Sequence, residues 1–241
     1  MDFFQSVKTT DPAGAWDEAE PYTQEARALH PIRTLFVQGG VEVIFRRMDT
    51  PTLIVAGDNA EAVRSVKTRY PGDTLVIEQE GVTIQIGNRR MTCHGSISQG
   101  LATGAGGIAI GGGLGHGKVV VAIGLPECPA VRIQGSGEVT LLDLRQPALA
   151  LDIEGSGDIT AVGLVHQLTA RVTGSGDVDA RGLSAEHADL TVAGSGDIEA
   201  WVRAAVRARV QGSGDIVVHG NPPRRDHRVA GSGDIRFREE A

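Results

Sequence analysis

A chain of 241 residues suffices for one large all-β domain, and 33 glycines with only 4% aromatic residues suit a narrow aliphatic core. The net charge of −7 comes from interspersed acidic and basic residues with no basic face, which speaks against a nucleic-acid partner. Two cysteines, Cys93 and Cys128, are too few for a disulfide framework and are left to pair or stay free; no apolar run approaches the ~20 residues of a membrane helix.

Residues 1–30 are polar and acidic, with Pro12, Pro21 and Pro31 in or just beyond them, and read as a tail or cap, with a short helix expected over Ala13–Leu29. Met1–Asp17 shows no basic segment followed by an apolar core, so no secretory leader is visible and the sequence alone reads as cytoplasmic. Residues 31–241 read as one domain. Its first part, 31–86, is irregular but β-rich, with strands expected at Thr52–Ala56, Thr74–Glu78 and Val82–Ile86 and one short helix over Ala60–Thr68. Residues 87–117 are so rich in glycine that they read as an irregular loop. Lys118–Leu125 resumes as a strand, and regular coils follow within 118–241.

Those coils announce themselves by a repeated corner. Gly135-Ser136-Gly137-Glu138-Val139 recurs, with Asp in place of Glu and Ile or Val at the end, from Gly155, Gly174, Gly194, Gly212 and Gly231, a period of 18–20 residues. A fixed period of this length marks a solenoid. Two residues before each first Gly stand Ile133, Ile153, Val172, Val192, Val210 and Val229; four after it stand Val139, Ile159, Val178, Ile198, Ile216 and Ile235. All are β-branched and suit a pleated, half-buried surface. Leu141, Ala161, Ala180, Ala200, Val218 and Phe237 continue the inward face, Arg132, Asp152, Arg171, Thr191, Arg209 and Arg228 face solvent, and Leu164/Leu168 and Val202/Val206 supply a third side. One such coil cannot bury its apolar face alone, whereas stacked coils can, each strand about 4.8 Å from its equivalents. The expected fold is all-β: a parallel β-helix (β-solenoid) with coils of about 18–20 residues. Leu35-Phe36-Val37-Gln38-Gly39-Gly40-Val41-Glu42-Val43 reads as a degenerate first coil, and Arg236, Arg238, Glu239 and Glu240 would discourage edge pairing at the far end.

The repeated Gly-Ser-Gly-Asp-Ile/Val corners, the opening that ends in Asp73-Thr74-Leu75-Val76-Ile77 and the closing Val229–Ile235 resemble the head GIN domain family, described as putative autotransporter adhesins, over about Ile32–Arg238. The resemblance implies a right-handed parallel β-helix and placement at the cell surface or secretion. The Gly-rich tract departs from that family as an insertion.

The residue types offer four kinds of chemistry. Stacking would align Glu138, Asp158, Asp177, Asp197, Asp215 and Asp234 in an acidic column; the structural role is that each carboxylate accepts backbone N–H groups at its own corner. The functional alternative is a cation ladder of Asp158, Asp177, Asp197, Asp215 and Asp234 taking Ca²⁺. Gly112–Lys118 matches part of a phosphate-binding loop, but Val119 stands where Ser or Thr must hold Mg²⁺ and a strand follows instead of a helix. His30, His94, His116, His166, His187, His219 and His227 show no metal spacing and read as surface residues; the corner serines read as turn residues. Asp152, Asp179, Asp189 and Glu199 are strand carboxylates with which a glycan-cleaving enzyme could be built on such a fold, an analogy of architecture alone. The expected function is therefore non-catalytic, without cofactor: a scaffold offering an elongated surface to a protein, glycan or envelope partner. A glycan-active enzyme and a self-assembling homo-oligomer are the alternatives.

Overall fold

The computed structural model describes residues 23–79, 82–86, 89–93 and 117–239. In chain order the elements are β1 (Thr23–Ala26), β2 (Thr34–Gly39), β3 (Glu42–Arg47), β4 (Thr52–Gly57), α1 (Ala60–Ser65), β5 (Val66–Arg69) and β6 (Thr74–Gln79). A hairpin of β7 (Val82–Ile86) and β8 (Arg89–Cys93) forms a separate two-stranded sheet. Then come β9 (Val119–Leu125), β10 (Ala130–Gly135), the long β11 (Glu138–Gly155), β12 (Asp158–Gly174), β13 (Val178–Gly194) and β14 (Ile198–Gly212), and finally β15 (Ile216–His219), β16 (Arg224–Gly231) and β17 (Ile235–Arg238).

From β10 onward every neighbouring pair is parallel, with register shifts confined to the stretch after the departure face, and the corners lie over one another: Gly135 pairs with Gly155, then Gly174, Gly194, Gly212 and Gly231 in succession. Each long strand covers three sides. It leaves one corner on a departure face, crosses a short third side through residues such as Leu144–Gln146 or Leu183–Ala185, and returns to the next corner along an approach face. The fold is a β-solenoid, and the degenerate coil of β2 and β3 belongs to it: Gly39 pairs with Gly135 and Glu42 with Glu138.

The stacking explains the corner sequence. The first glycine of each corner has φ between 124° and 145°, a region closed to most side chains. The second needs glycine for closeness: a Cβ on Gly196 would sit 2.0 Å from the carbonyl oxygen of Gly176. The serine between them points to solvent, and its backbone N–H donates to the first-glycine carbonyl one coil below, as Ser195 does to Gly174 at 2.8 Å.

The inward positions fuse into one continuous core. Ile133, Ile153, Val172, Val192, Val139, Ile198 and Ile216 are fully buried, as are Leu141, Ala161, Ala180, Ala200 and Val218. One expected core residue is corrected. Leu164 is 39% exposed and Val165 takes the inward place, because a register shift between Thr160 and Gly163 rotates the alternation by one residue. Val229 is also open, at 40%, because no coil lies above it.

The N-terminal end is built differently from the expected tail. Thr23–Ala26 is not helical but pairs antiparallel with β4, since the open edge of β4 offers backbone partners that an isolated helical turn lacks. β9 inserts between β3 and β4, parallel to the first and antiparallel to the second. On the approach face β6 pairs with β2, and β5 adds antiparallel. Helix α1 closes the core between them: Ala62 and Val63 are buried, and the Asn59 side chain caps it by accepting the N–H groups of Glu61 and Ala62 at 2.9 Å. The helix is shorter than expected, since Val66–Arg69 is already strand. Within the glycine-rich tract Arg89–Cys93 is a strand, and residues 94–116 lie outside the described part, as do residues 1–22.

Candidate interaction surfaces

The acidic column forms, with a hydrogen-bonding pattern that differs from the expected one. Each aspartate serves the coil above, not its own corner: Asp158 Oδ1 accepts the N–H of Asp177 at 3.1 Å, Asp177 that of Asp197 at 2.8 Å, Asp197 that of Asp215 at 2.7 Å and Asp215 that of Asp234 at 2.8 Å. Only Asp234, in the last coil, turns back on its neighbour and accepts the Ile235 N–H at 2.8 Å. One carboxylate oxygen per coil is thus spent stitching backbone to backbone, and the cost of setting like charges ~4.8 Å apart, about 1 kcal/mol in water, is offset by that bond. The glutamates at the base of the column make no such stitch: the Asp158 N–H donates to the Gly137 carbonyl instead. Burial, then the nearby Glu138 carboxylate, raises the pKa of Glu42 above its ordinary value. Arg236 crowns the column, 3.0 Å from both Asp215 and Asp234. Among the described residues no group of three or more His, Cys, Asp or Glu side chains could hold a metal ion.

The strand carboxylates each face a cation. Asp152 lies 3.4 Å from Arg132, and Asp189 3.8 Å from Arg207. Arg181 grips Asp179 at 2.5 Å and reaches Glu199 at 3.4 Å, so one guanidinium spans two register partners. Its hydrogen bond holds the Asp179 carboxyl below the usual range.

One histidine departs from the surface reading. His219 is only 4% exposed; its Nε2 lies 3.2 Å from Glu199, and its ring stacks parallel to Trp201, its partner one coil down. Its signal was the interval: 18 residues separate Trp201 from His219, as they do Gly194 from Gly212. His227 is exposed, as the surface reading has it, although it stands in register with the buried Ala208 one coil below; it packs edge-on against Phe237 at 5.5 Å. His166 is a surface residue, 3.1 Å from Glu186. His94 and His116 lie outside the described residues, as do residues 112–116 of the phosphate-loop match; after Lys118 the chain runs into β9. Cys128 is a buried free thiol, its pKa pushed up by burial; the Cys93 side chain is not described.

The outward columns also reveal a basic area that composition hid. On the upper approach face Arg171, Thr191, Arg209 and Arg228 stand in one column, beside Thr169, Asp189, Arg207 and Asp226 in the next. Asp226 lies 3.2 Å from Arg207, the same guanidinium that meets Asp189, whereas Arg171, Arg209, Arg224 and Arg228 make no ion pair among the described residues. Lower on the same face Arg132 is held between Asp152 and Glu154. Among the described residues no helix is long and apolar enough to cross a membrane.

The fold has solved relatives. A crystal structure of a putative adhesin from Bacteroides fragilis superposes with a TM-score of 0.61 at 16% identity, covering 91% of this chain and 98% of that one. A putative adhesin from Parabacteroides distasonis gives 0.52 at 16% identity, covering 90% and 97%. The comparison with curated proteins finds no match. Residues 33–222, which span the first five of the six corners and the pairing of β2 with β10, match the family model described as "Putative auto-transporter adhesin, head GIN domain", and the chain belongs to that family.

Proposed function

We propose that this protein is a non-catalytic scaffold that presents an elongated surface to a partner at the cell envelope, in the manner of an adhesin. The observation that carries this reading is the in-register stacking of outward side chains. A residue type repeated in sequence becomes a straight row at about 4.8 Å spacing, which suits an extended partner better than a compact one. The description of the family supports placement at the cell surface. The test uses the full chain coupled to beads and applied to bacterial envelope preparations and immobilised polysaccharides. The folded chain is expected to be retained where a heat-unfolded sample is not, to release no reducing ends from the polysaccharides, and to sediment as a small species at micromolar concentration. Sustained release of reducing ends would replace the scaffold reading with a glycan-active enzyme. Sedimentation as long particles would replace it with a self-assembling protein.

A further inference from the structure

The upper approach face carries more than a general invitation to a partner. Arg209 and Arg228 are register partners on adjacent coils, and Arg171 stands in the same column two coils lower. Two clefts of about 550 and 560 Å³ open on this face and share Asp226 in their walls; Arg207 and Arg224 line the first, Arg209 and Arg228 the second. Five guanidiniums, counting Arg207, face outward here against two carboxylates, and both carboxylates are bound to Arg207. Arg171, Arg209, Arg224 and Arg228 are left without an ion pair among the described residues, and three of them, Arg171, Arg209 and Arg228, share one column.

We propose that this row binds an anionic polysaccharide laid along the stacking axis, with sugar carboxylates or sulfates seated on Arg171, Arg209 and Arg228. This inference rests on the scaffold reading and names its ligand class. Guanidinium forks match planar carboxylates in two-pronged fashion, and a row at coil spacing meets the charges of a polymer whose repeat is about one sugar ring. The row includes no aromatic side chain on which bases would stack, which favours a glycan over single-stranded nucleic acid. The overall charge of −7 does not forbid it, because exposed charges beyond a Debye length of about 8 Å are largely screened at physiological salt.

The test measures binding of polygalacturonate, dextran sulfate, neutral dextran and an oligothymidylate to the full chain at two salt concentrations. One or both anionic polysaccharides are expected to bind, more weakly at high salt as counterions are retained. The double variant Arg209→Ala/Arg228→Ala should weaken that binding at least tenfold, while Arg132→Ala, on the neutralised lower half, should stay within twofold. Both substitutions lie on the exposed surface, so an unchanged melting temperature confirms the fold. Equal binding by the double variant, equal binding of neutral dextran, tighter binding of the oligothymidylate or binding of neither anionic polymer would each overturn the inference. If neither polymer binds while coated beads are still retained on envelopes, the inference falls and the scaffold reading stands; loss of both removes the two together.

Discussion

The two ends of the stack close the same core by opposite means. At the N-terminal end the closure is backbone: β1, β4 and β5 run antiparallel to their neighbours, and α1 lays Ala62 and Val63 across the opening. At the C-terminal end the closure is side chain: β16 keeps its register on β14 but puts Arg225 and His227 where lower coils have Val206 and Ala208. Arg225 lies over the Phe237 ring at 4.5 Å and donates to the Pro222 carbonyl and the Asn221 side chain, so a charged lid covers the last apolar layer. A solenoid needs terminal coils that do not invite another coil, and here one end changes strand direction while the other keeps its parallel register, breaks the long strand after His219 and changes residue type.

That contrast is broken most severely by charge placed in the middle of the stack. Ile198 is fully buried between Val178 and Ile216, and Ile198→Asp would bury an unpaired carboxylate, at a cost upwards of about 4 kcal/mol. Circular dichroism should show the variant unfolded or melting far below wild type. Val229→Asp, in an equivalent inward column but at the open end, should move stability by only about 0.5 kcal/mol. Equal losses at the two sites would show that the upper end is buried by something, such as a second copy.

Glycine substitutions sharpen the comparison between tight and loose corners. Gly196→Ala drives a Cβ into the Gly176 carbonyl, with an expected loss of roughly 2–4 kcal/mol in denaturant unfolding. Gly39→Ala meets nothing within 4 Å and bears only the strain of φ near 85°, about 1–2 kcal/mol. The first coil tolerates more because no Gly-Ser-Gly coil lies below it.

How much of this was legible follows from where the information sits. The corners and their flanking aliphatics repeat locally, so the pattern of Ile153, Val172 and Val192 declares the inward columns without knowledge of any partner. Leu164 misled because Gly163, at φ 142°, shifts the register, and alternation alone carries no mark of a bulge. The pairing of Thr23–Ala26 with β4, and the entry of β9 between β3 and β4, join segments distant in sequence and leave no periodic trace. The arginine row lay between these cases. Arg209 and Arg228 are 19 residues apart, matching Gly212 and Gly231, yet charge averaged over the whole chain concealed it. The inter-coil role of the aspartates could not be read either, since a carboxylate beside a corner is equally suited to its own turn.

Two polar stitches, one per region, come next in size. Asp197→Ala leaves the Asp215 N–H without its side-chain acceptor, and Asn59→Ala uncaps α1; each should cost about 1 kcal/mol in equilibrium unfolding. Asp197→Asn keeps an acceptor oxygen and should stay close to wild type. Asp197→Glu should resemble the alanine variant if side-chain length, as at Glu138, is what prevents the stitch.

The smallest effect belongs to Glu42, at the junction of the two regions. Burial, reinforced by Glu138, raises its folded pKa, so the folded state holds a proton that the unfolded chain has released in the window between the ordinary glutamate value and the raised one. Stability contributed by this group is therefore present at low pH and is lost as pH rises through that window. Glu42→Gln removes the ionisation and should melt slightly higher than wild type at neutral pH, with the difference shrinking as the solution is acidified toward the ordinary carboxylate range. A melting-temperature series across that range checks the sign. A difference that grows on acidification would mean that the ionised carboxylate is stabilised in place, with the attraction of Lys118 outweighing burial and Glu138.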